Sequence, residues 1–306
     1  MSEQEMIIGK CTQCGEELRV PSRLERFSCM YCGQKLTQAE ITASEVPVEG
    51  DAGQLLSDVN GRIVSCVVKF RDSREHINKT AFFTYFERME AFVVPVLTDL
   101  DMACTIESRR RTAILEEVAD TLLNGLEADW ASGRRKKMTQ DEDKMTLAIF
   151  LVPMIGKQKL SISNDFSRII HEKWTERHPK NEFLIGDYDD IAEGFKKRFK
   201  LCFITTAVCE SRGLPDDCAQ LTAFRDFRDG YLMAQPEGKA LVEEYYAIAP
   251  GIVTCIDHCA DRTARYDAIG KEFLDPCYRM LQAGQLVDCQ DTYTAMVNHL
   301  QSQYCS

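Results

Sequence analysis

Four cysteines near the start of the chain occupy two copies of one short motif. Cys11 and Cys14 form a C-x2-C pair, and Cys29 and Cys32 form a second pair after fourteen intervening residues. Zn²⁺ binds four thiolates at tetrahedral angles, with Zn–S distances of about 2.3 Å. Because the segment is too small to fold around a hydrophobic core of its own, metal binding would have to stabilise it. The spacing therefore predicts one zinc ion held by all four thiolates.

The residues around the two pairs are typical of a zinc ribbon. Gly15 and Gly33 each follow the second cysteine of a pair, where a tight turn favours a positive φ. We expect residues 17–20 and 26–28 to pair as short strands across the turn at Pro21 and Ser22. Cysteine fills all four ligand positions and leaves none open for a substrate, so the zinc is expected to be structural.

The charge of the ribbon favours protein partners over nucleic acid. Residues 1–45 hold five Lys or Arg and seven Glu, a balance of −2, and the whole chain has a net charge of −11. Sequence-independent binding to phosphate backbones requires a basic face. Basic clusters occur at residues 109–111, 134–137 and 196–200, which we interpret as solvated helix ends and loops. Nucleic-acid binding would regain support if these three clusters met on one face.

Composition places the chain among ordinary globular proteins of about two domains. The first residues include two glutamates and no basic stretch followed by an apolar one, so no secretory signal is expected. The longest strongly apolar run, residues 148–155, is shorter than the ~20 residues that span a membrane. We therefore expect a cytoplasmic protein without membrane contact. Its fourteen cysteines would then be metal ligands, buried thiols or reactive thiols rather than disulfides.

The sequence predicts a mainly α fold with a small N-terminal β zinc ribbon. The ribbon (1–36) is followed by a polar linker (37–60) and a mainly helical domain (61–199). Residues 63–70 are β-branched and apolar, which favours a short strand. Helical stripes of apolar residues then follow at residues 82–96, 114–126, 145–155 and 166–174, with a hydrophilic loop at 131–143. Pro95 is expected to bend or end the first of these helices.

The last third of the chain contains four distinctive blocks. They are CFITTAVC from Cys202 to Cys209, LPDDC ending at Cys218, FRDFRD at 224–229 and LVEEYYAIAP at 241–250. With these blocks in this order, residues 200–306 resemble the CFI-box C-terminal domain family of bacterial proteins. The resemblance implies a domain that is commonly joined to other modules, zinc ribbons among them. It implies no particular reaction.

Local patterns in this region predict mostly helices. Residues 202–208 are apolar and β-branched, which favours a buried strand or an extended lead into a helix. Pro215 and the two following aspartates suit a helix start. Helices are then expected at 221–231, at 240–248 ending before Pro250, and at 252–266.

The C-terminal thiols allow three interpretations. Cys255, His258 and Cys259, with a fourth ligand from Cys202, Cys209 or Cys218, could form a second metal site. Alternatively, Cys202 or Cys209 is a nucleophile activated by His258 or by the dipole of the helix that starts near Asp216. In the third and preferred interpretation, these cysteines are small buried hydrophobic residues.

Two classes of function follow. The preferred one is a non-enzymatic interaction or regulatory protein with a structural zinc ribbon, because the chain has no nucleotide-binding, H-E-x-x-H or G-x-S-x-G motif. The alternative is a cysteine-dependent hydrolase or transferase that uses Cys202 or Cys209 with His258. A buried Cys202 with apolar neighbours would count against the enzyme, and a Cys202 within hydrogen-bond reach of His258 would support it.

Overall fold

The computed structural model describes residues 6–42, 50–132, 136–196 and 202–305. A small β region at the N-terminus precedes a large helical body, which confirms the predicted fold class. Within these residues, four strands form two antiparallel two-stranded sheets, β1 with β2 and β3 with β4. The strands are β1 (Met6–Lys10), β2 (Glu17–Pro21), β3 (Arg26–Ser28) and β4 (Lys35–Thr37).

The predicted pairing of residues 17–20 with 26–28 is wrong. Strand β2 pairs with β1, with Leu18 opposite Gly9, and β3 pairs with β4, with Phe27 opposite Leu36. Each C-x2-C pair is therefore the turn of its own hairpin. The local turn at each cysteine pair brings its flanking strands together, and this determines the pairing.

The ribbon has a small apolar cluster separate from that of the body. Helix α1 (Gln38–Thr42) places Ile41 against Leu18, Val20 and Leu36, beside two of the cysteines. A Cβ on Gly9 would lie 2.3 Å from the carbonyl oxygen of Ile41. Only glycine allows β1 and α1 to approach this closely.

Fourteen α-helices within the described residues build the body. Their bounds are α2 (Ala52–Arg62), α3 (Ser65–Val68), α4 (Phe82–Ile106), α5 (Arg111–Ser132), α6 (Lys136–Met145), α7 (Val152–Gln158), α8 (Ser163–Arg177), α9 (Tyr188–Lys196), α10 (Phe203–Ser211), α11 (Ala219–Asp226), α12 (Pro236–Asp257), α13 (Arg262–Ile269), α14 (Asp275–Gln282) and α15 (Leu286–Tyr304). A 3₁₀ segment, Arg71–His76, lies between α3 and α4. Within the described residues, no helix is both long and apolar enough to cross a membrane.

The four predicted apolar stripes are buried faces of helices in the body. The first lies on α4, where Phe82 and Phe86 pack against Phe150. Pro95 does not end α4, which continues to Ile106 and buries further residues beyond the proline. Burial on both sides of Pro95 outweighs the hydrogen bond that its missing N–H removes.

Several local predictions are corrected by the structure. Residues 63–70 contain α3 rather than a strand, with Ile63, Cys66 and Val67 buried at helical spacing. The segment 37–60, predicted as a linker, contains α1 and most of α2, and α2 packs against α4. Residues 43–49 of that segment lie outside the described residues. Much of the loop predicted at 131–143 belongs to α5 and α6.

The middle and C-terminal regions share one hydrophobic cluster, which runs from Val59 to Tyr304. The backbone N–H of Lys79 donates to the carbonyl oxygen of Ala247, and the backbone N–H of Leu184 donates to the carbonyl oxygen of His258. An isolated β-bridge also pairs Phe183 with Cys259.

Residues 134, 135 and 197–200 of two basic clusters lie outside the described residues.

Candidate metal centre and C-terminal cysteines

The four N-terminal cysteines meet at one point. Their Sγ atoms all lie within 4.8 Å of one another. The Sγ–Sγ distance is 3.7 Å between Cys11 and Cys32 and 3.6 Å between Cys14 and Cys29. Four sulfurs placed tetrahedrally about 2.3 Å from a zinc ion would lie about 3.8 Å apart. The cluster therefore has the dimensions of a four-thiolate metal site.

The two hairpin turns position the thiols in the same way. The backbone N–H of Cys11 donates to the carbonyl oxygen of Glu16, and the backbone N–H of Gly15 donates to the carbonyl oxygen of Cys11, both at 2.9 Å. Cys29 and Gly33 repeat these bonds eighteen residues later. Gly15 and Gly33 have φ of 75° and 77°, which confirms the predicted positive φ after each pair. The turn itself, rather than distant packing, thus aims the sulfurs inward.

The donor set determines the chemistry of this centre. Four thiolates are the soft ligands that zinc and iron take, and a tetrahedral site filled by protein ligands has no position for a reacting group. The first cysteine of each pair is buried and the second is exposed. The arrangement can hold the two hairpins together, and we expect it to do no catalysis.

The second metal site is not assembled. Within the part of the chain that the structure describes, only the N-terminal cluster brings three or more ligand atoms together. The Sγ of Cys259 faces the carbonyl oxygen of Cys255 at 3.2 Å, while Nδ1 of His258 lies 2.8 Å from that of Thr254. Helix α12 ends at Asp257 instead of continuing to 266, and the Sγ of Cys255 donates to the carbonyl oxygen of Tyr304 at 3.6 Å, so the three groups do not converge.

Cys202 and His258 line different cavities. Cys202, only 5% exposed, lines an apolar cavity of about 70 Å³ together with Tyr245 and Tyr293. His258 lines a second cleft of mixed polar and apolar character, together with Thr206. Cys202 and Cys209 are absent from the lining of that cleft.

Helical geometry accounts for this separation. Residues 202–211 form α10 with its N-cap, rather than the predicted strand. At about 100° per residue, Cys202 and Cys209 share one side of the helix, and the residues that line the cleft, Phe203, Thr206, Ala207 and Glu210, are centred about a quarter turn away. His258 lines the cleft next to the side of α10 that carries Thr206 and Glu210.

Burial dominates the chemistry of Cys202. It raises the pKa of the thiol, and the nearby guanidinium groups of Arg228 and Arg225 oppose this rise only in part. The Sγ atom lies 3.6 Å from Nη1 of Arg228. The thiol therefore remains protonated at neutral pH, which is unlike an activated nucleophile.

We expect Cys202 to be alkylated slowly in the native protein and quickly after unfolding. Both its burial and its raised pKa limit attack by the thiolate. Maleimide labelling over time, followed by mass spectrometry of the tryptic peptide 201–212, measures this rate. Cys209→Ser is used as background so that only Cys202 is reported. Labelling as fast as that of a free thiol would revive the cysteine-enzyme alternative.

The sequence alone did not identify the exposed apolar side chains of the ribbon. Met30 and Tyr31, between the last two ligand cysteines, are 80% and 60% exposed. Met6, Ile8 and Leu24 are exposed as well. Because both pairs direct their sulfurs inward, residues between the cysteines must point outward, and this is the signal that could have revealed them.

Comparison with known proteins gives no relative from which a role could be transferred. No protein family, no curated protein and no solved structure matches this chain. The resemblance of residues 200–306 to the CFI-box domain family therefore stays a prediction.

Proposed function

We propose that this chain is a cytoplasmic, zinc-binding interaction or regulatory protein. Its four-cysteine ribbon, with one structural Zn²⁺, binds a protein partner, and its C-terminal part is a CFI-box-like domain. The observation that carries this proposal is the concentration of exposed apolar side chains on the ribbon. Large apolar side chains are exposed at five positions there, Met6, Ile8, Leu24, Met30 and Tyr31.

These side chains are not needed for the ribbon's own core. Along β1, Ile7 packs against the ribbon cluster, while Met6 and Ile8 point the other way. Leu18, Val20, Leu36 and Ile41 already fill that cluster. Clustered exposed apolar side chains are typical of interaction sites, and Met and Tyr are enriched at the centres of protein interfaces.

The charge of the ribbon supports a protein partner over a nucleic acid. Residues 1–45 have a balance of −2, so this part of the chain offers phosphates no excess of positive charge. Aromatic side chains can also stack on single-stranded bases, but such sites combine stacking with a positive groove. A partner with an apolar patch complementary to Met30 and Tyr31 fits these properties best.

We expect the double substitution Met30→Ser and Tyr31→Ser to weaken partner binding at least tenfold. Loss of two central apolar contacts typically costs well over the ~1.4 kcal/mol that corresponds to a factor of ten. Partners co-purified from the source cells with tagged wild-type protein are quantified by mass spectrometry and compared with the variant. Zinc content is measured in parallel to establish that the ribbon still binds metal.

Val287→Ser is the matched control, because Val287 is 62% exposed but lies on α15 of the body. It should leave binding unchanged. Equal partner recovery with the ribbon variant and wild type would overturn the proposed role of the ribbon. The cysteine-dependent enzyme that uses Cys202 or Cys209 with His258 remains the alternative, and neither of the two cavities described above joins those groups.

A further inference from the structure

Two thiols of the body lie in contact across a short loop. The Sγ of Cys218 donates to the Sγ of Cys209 at 3.7 Å. Cys209 lies in α10, and Cys218 is the N-cap of α11. Cys209 is buried, whereas Cys218 is partly exposed. The thiol of Cys218 can therefore react with a reagent from solvent, and the thiol of Cys209 lies next to it.

The loop between the two thiols is held by its own hydrogen bonds. The backbone N–H of Leu214 donates to the carbonyl oxygen of Cys209 at 2.9 Å, and the backbone N–H of Cys218 donates to the carbonyl oxygen of Pro215 at 3.0 Å. Gly213 has a φ of 70°, which lets the chain turn sharply after α10. The proximity of the sulfurs is thus built into the backbone of residues 209–218.

We propose that Cys209 and Cys218 form a hydroperoxide-responsive dithiol that closes to a reversible disulfide. The Cys218 thiolate attacks one oxygen of the hydroperoxide and the O–O bond breaks. This step gives a sulfenic acid and an alcohol, or water when the oxidant is hydrogen peroxide; the alcohol or water oxygen takes the proton released by the thiol. The sulfur of Cys209 then attacks the sulfur of Cys218, the S–O bond breaks, and water leaves with the Cys209 proton. The two thiols lose two electrons in total and the peroxide gains them.

The two thiols have different environments, which determines their order of reaction. Cys218 is partly exposed to solvent and lies at the N-terminus of α11, so a hydroperoxide can reach its sulfur. Burial raises the pKa of Cys209 to about 12, so it stays protonated until a sulfenic acid forms beside it. Cys218 is accordingly the sensing thiol and Cys209 the resolving thiol.

Another close pair of thiols provides an internal control. Cys277 on α14 directs its Sγ at the carbonyl oxygen of Cys289 on α15, at 3.9 Å. Both of these thiols are fully buried. If access as well as proximity decides the reaction, this pair stays reduced at a peroxide dose that oxidises Cys218.

The position of Arg212 makes the disulfide easy to detect. Trypsin cuts after Arg212 and places Cys209 in peptide 201–212 and Cys218 in peptide 213–225. After treatment of the full chain with hydrogen peroxide and alkylation of free thiols, the two peptides should appear joined, about 2 Da lighter than their sum. Addition of a dithiol reductant should separate them.

Three variants make the assignment specific. The joined pair should persist in Cys202→Ser, which removes the other thiol of peptide 201–212, and disappear in Cys218→Ser. It should also disappear in Cys209→Ser, in which Cys218 should instead accumulate as a sulfenic or sulfinic acid. Thermal unfolding of each variant establishes that it is folded; should Cys209→Ser not fold, Cys218→Ser alone decides, because its site is partly exposed.

Two outcomes would overturn the proposal. One is over-oxidation of Cys218 in the wild-type protein without any joined peptides. The other is a Cys277–Cys289 disulfide that forms at the same dose and rate, because global opening would then explain the oxidation of both pairs.

Discussion

Replacement of Cys29 by serine is expected to abolish metal binding and to unfold the N-terminal ribbon, while the helical body stays folded. A serine hydroxyl does not replace a thiolate in a four-sulfur site, and the remaining three thiols leave the two hairpins unconnected. The ribbon cluster contains only four buried apolar residues besides two of the ligand cysteines. Such a core cannot hold the hairpins without the metal.

Metal content and proteolysis measure this effect independently. Elemental mass spectrometry should give one zinc per wild-type chain and close to none for Cys29→Ser. Limited proteolysis should cut the variant within residues 6–42 first, and the helical circular dichroism should change little. Cys66→Ser is the control: Cys66 is a buried thiol of the body, so the metal content should remain that of the wild type. A Cys29→Ser protein that retains a full zinc ion would refute the assigned ligand set.

The metal centre was predictable from sequence because its geometry is local. A C-x2-C-G turn directs its own sulfurs, and the two turns here repeat the same hydrogen bonds. The pairing of strands was not predictable from the same evidence. Residues 17–20 and 26–28 had suitable composition to pair, but each joined the strand on the other side of its own cysteine turn.

Helices replaced strands where tertiary burial outweighed local propensity. Residues 63–70 and 202–208 are rich in β-branched residues, yet both segments are helical and buried in the body. β-Propensity largely describes how well a side chain packs on a pleated surface, and the described residues of the body form no sheet. Pro95 was predicted to bend or end a helix and Pro250 to end one, but α4 and α12 continue through them.

The candidate cysteine sites depended on where helices end, which sequence defines poorly. The predicted helix from 252 to 266 would have placed Cys255, His258 and Cys259 on one flank. Instead α12 ends at Asp257, the Sγ of Cys255 donates to the carbonyl oxygen of Tyr304, and His258 lines a separate cleft. The contact between Cys209 and Cys218 likewise depends on the loop between α10 and α11, whose shape no spacing rule gives.

An ion-pair network that the sequence did not indicate is expected to contribute strongly to the stability of the body. The carboxylate of Asp143, fully buried on α6, accepts hydrogen bonds from Nε and Nη2 of Arg71 at 2.7 and 2.8 Å. It also accepts one from the indole of Trp130 on α5, at 2.6 Å. Three segments of the chain therefore meet at one buried carboxylate.

We expect Asp143→Ala to lower the free energy of unfolding by about 3–5 kcal/mol, the usual cost of removing one partner of a buried ion pair. The substitution leaves the Arg71 guanidinium partly buried without its main partner and the Trp130 N–H without an acceptor. Urea unfolding followed by tryptophan fluorescence is a direct measure, because the chain has only two tryptophans and Trp130 is one of them.

Asp129→Ala provides the matched comparison, since Asp129 pairs with the same arginine through Nη1 but its side chain is 46% exposed. Exposed pairs contribute about 0–1 kcal/mol, so this variant should be nearly as stable as the wild type. If Asp143→Ala lowers the free energy of unfolding much more than Asp129→Ala does, the stabilisation comes from the buried carboxylate rather than from the charge of Arg71. Small losses of unfolding free energy in both variants would contradict this prediction, because the network would then be no stronger than a surface ion pair.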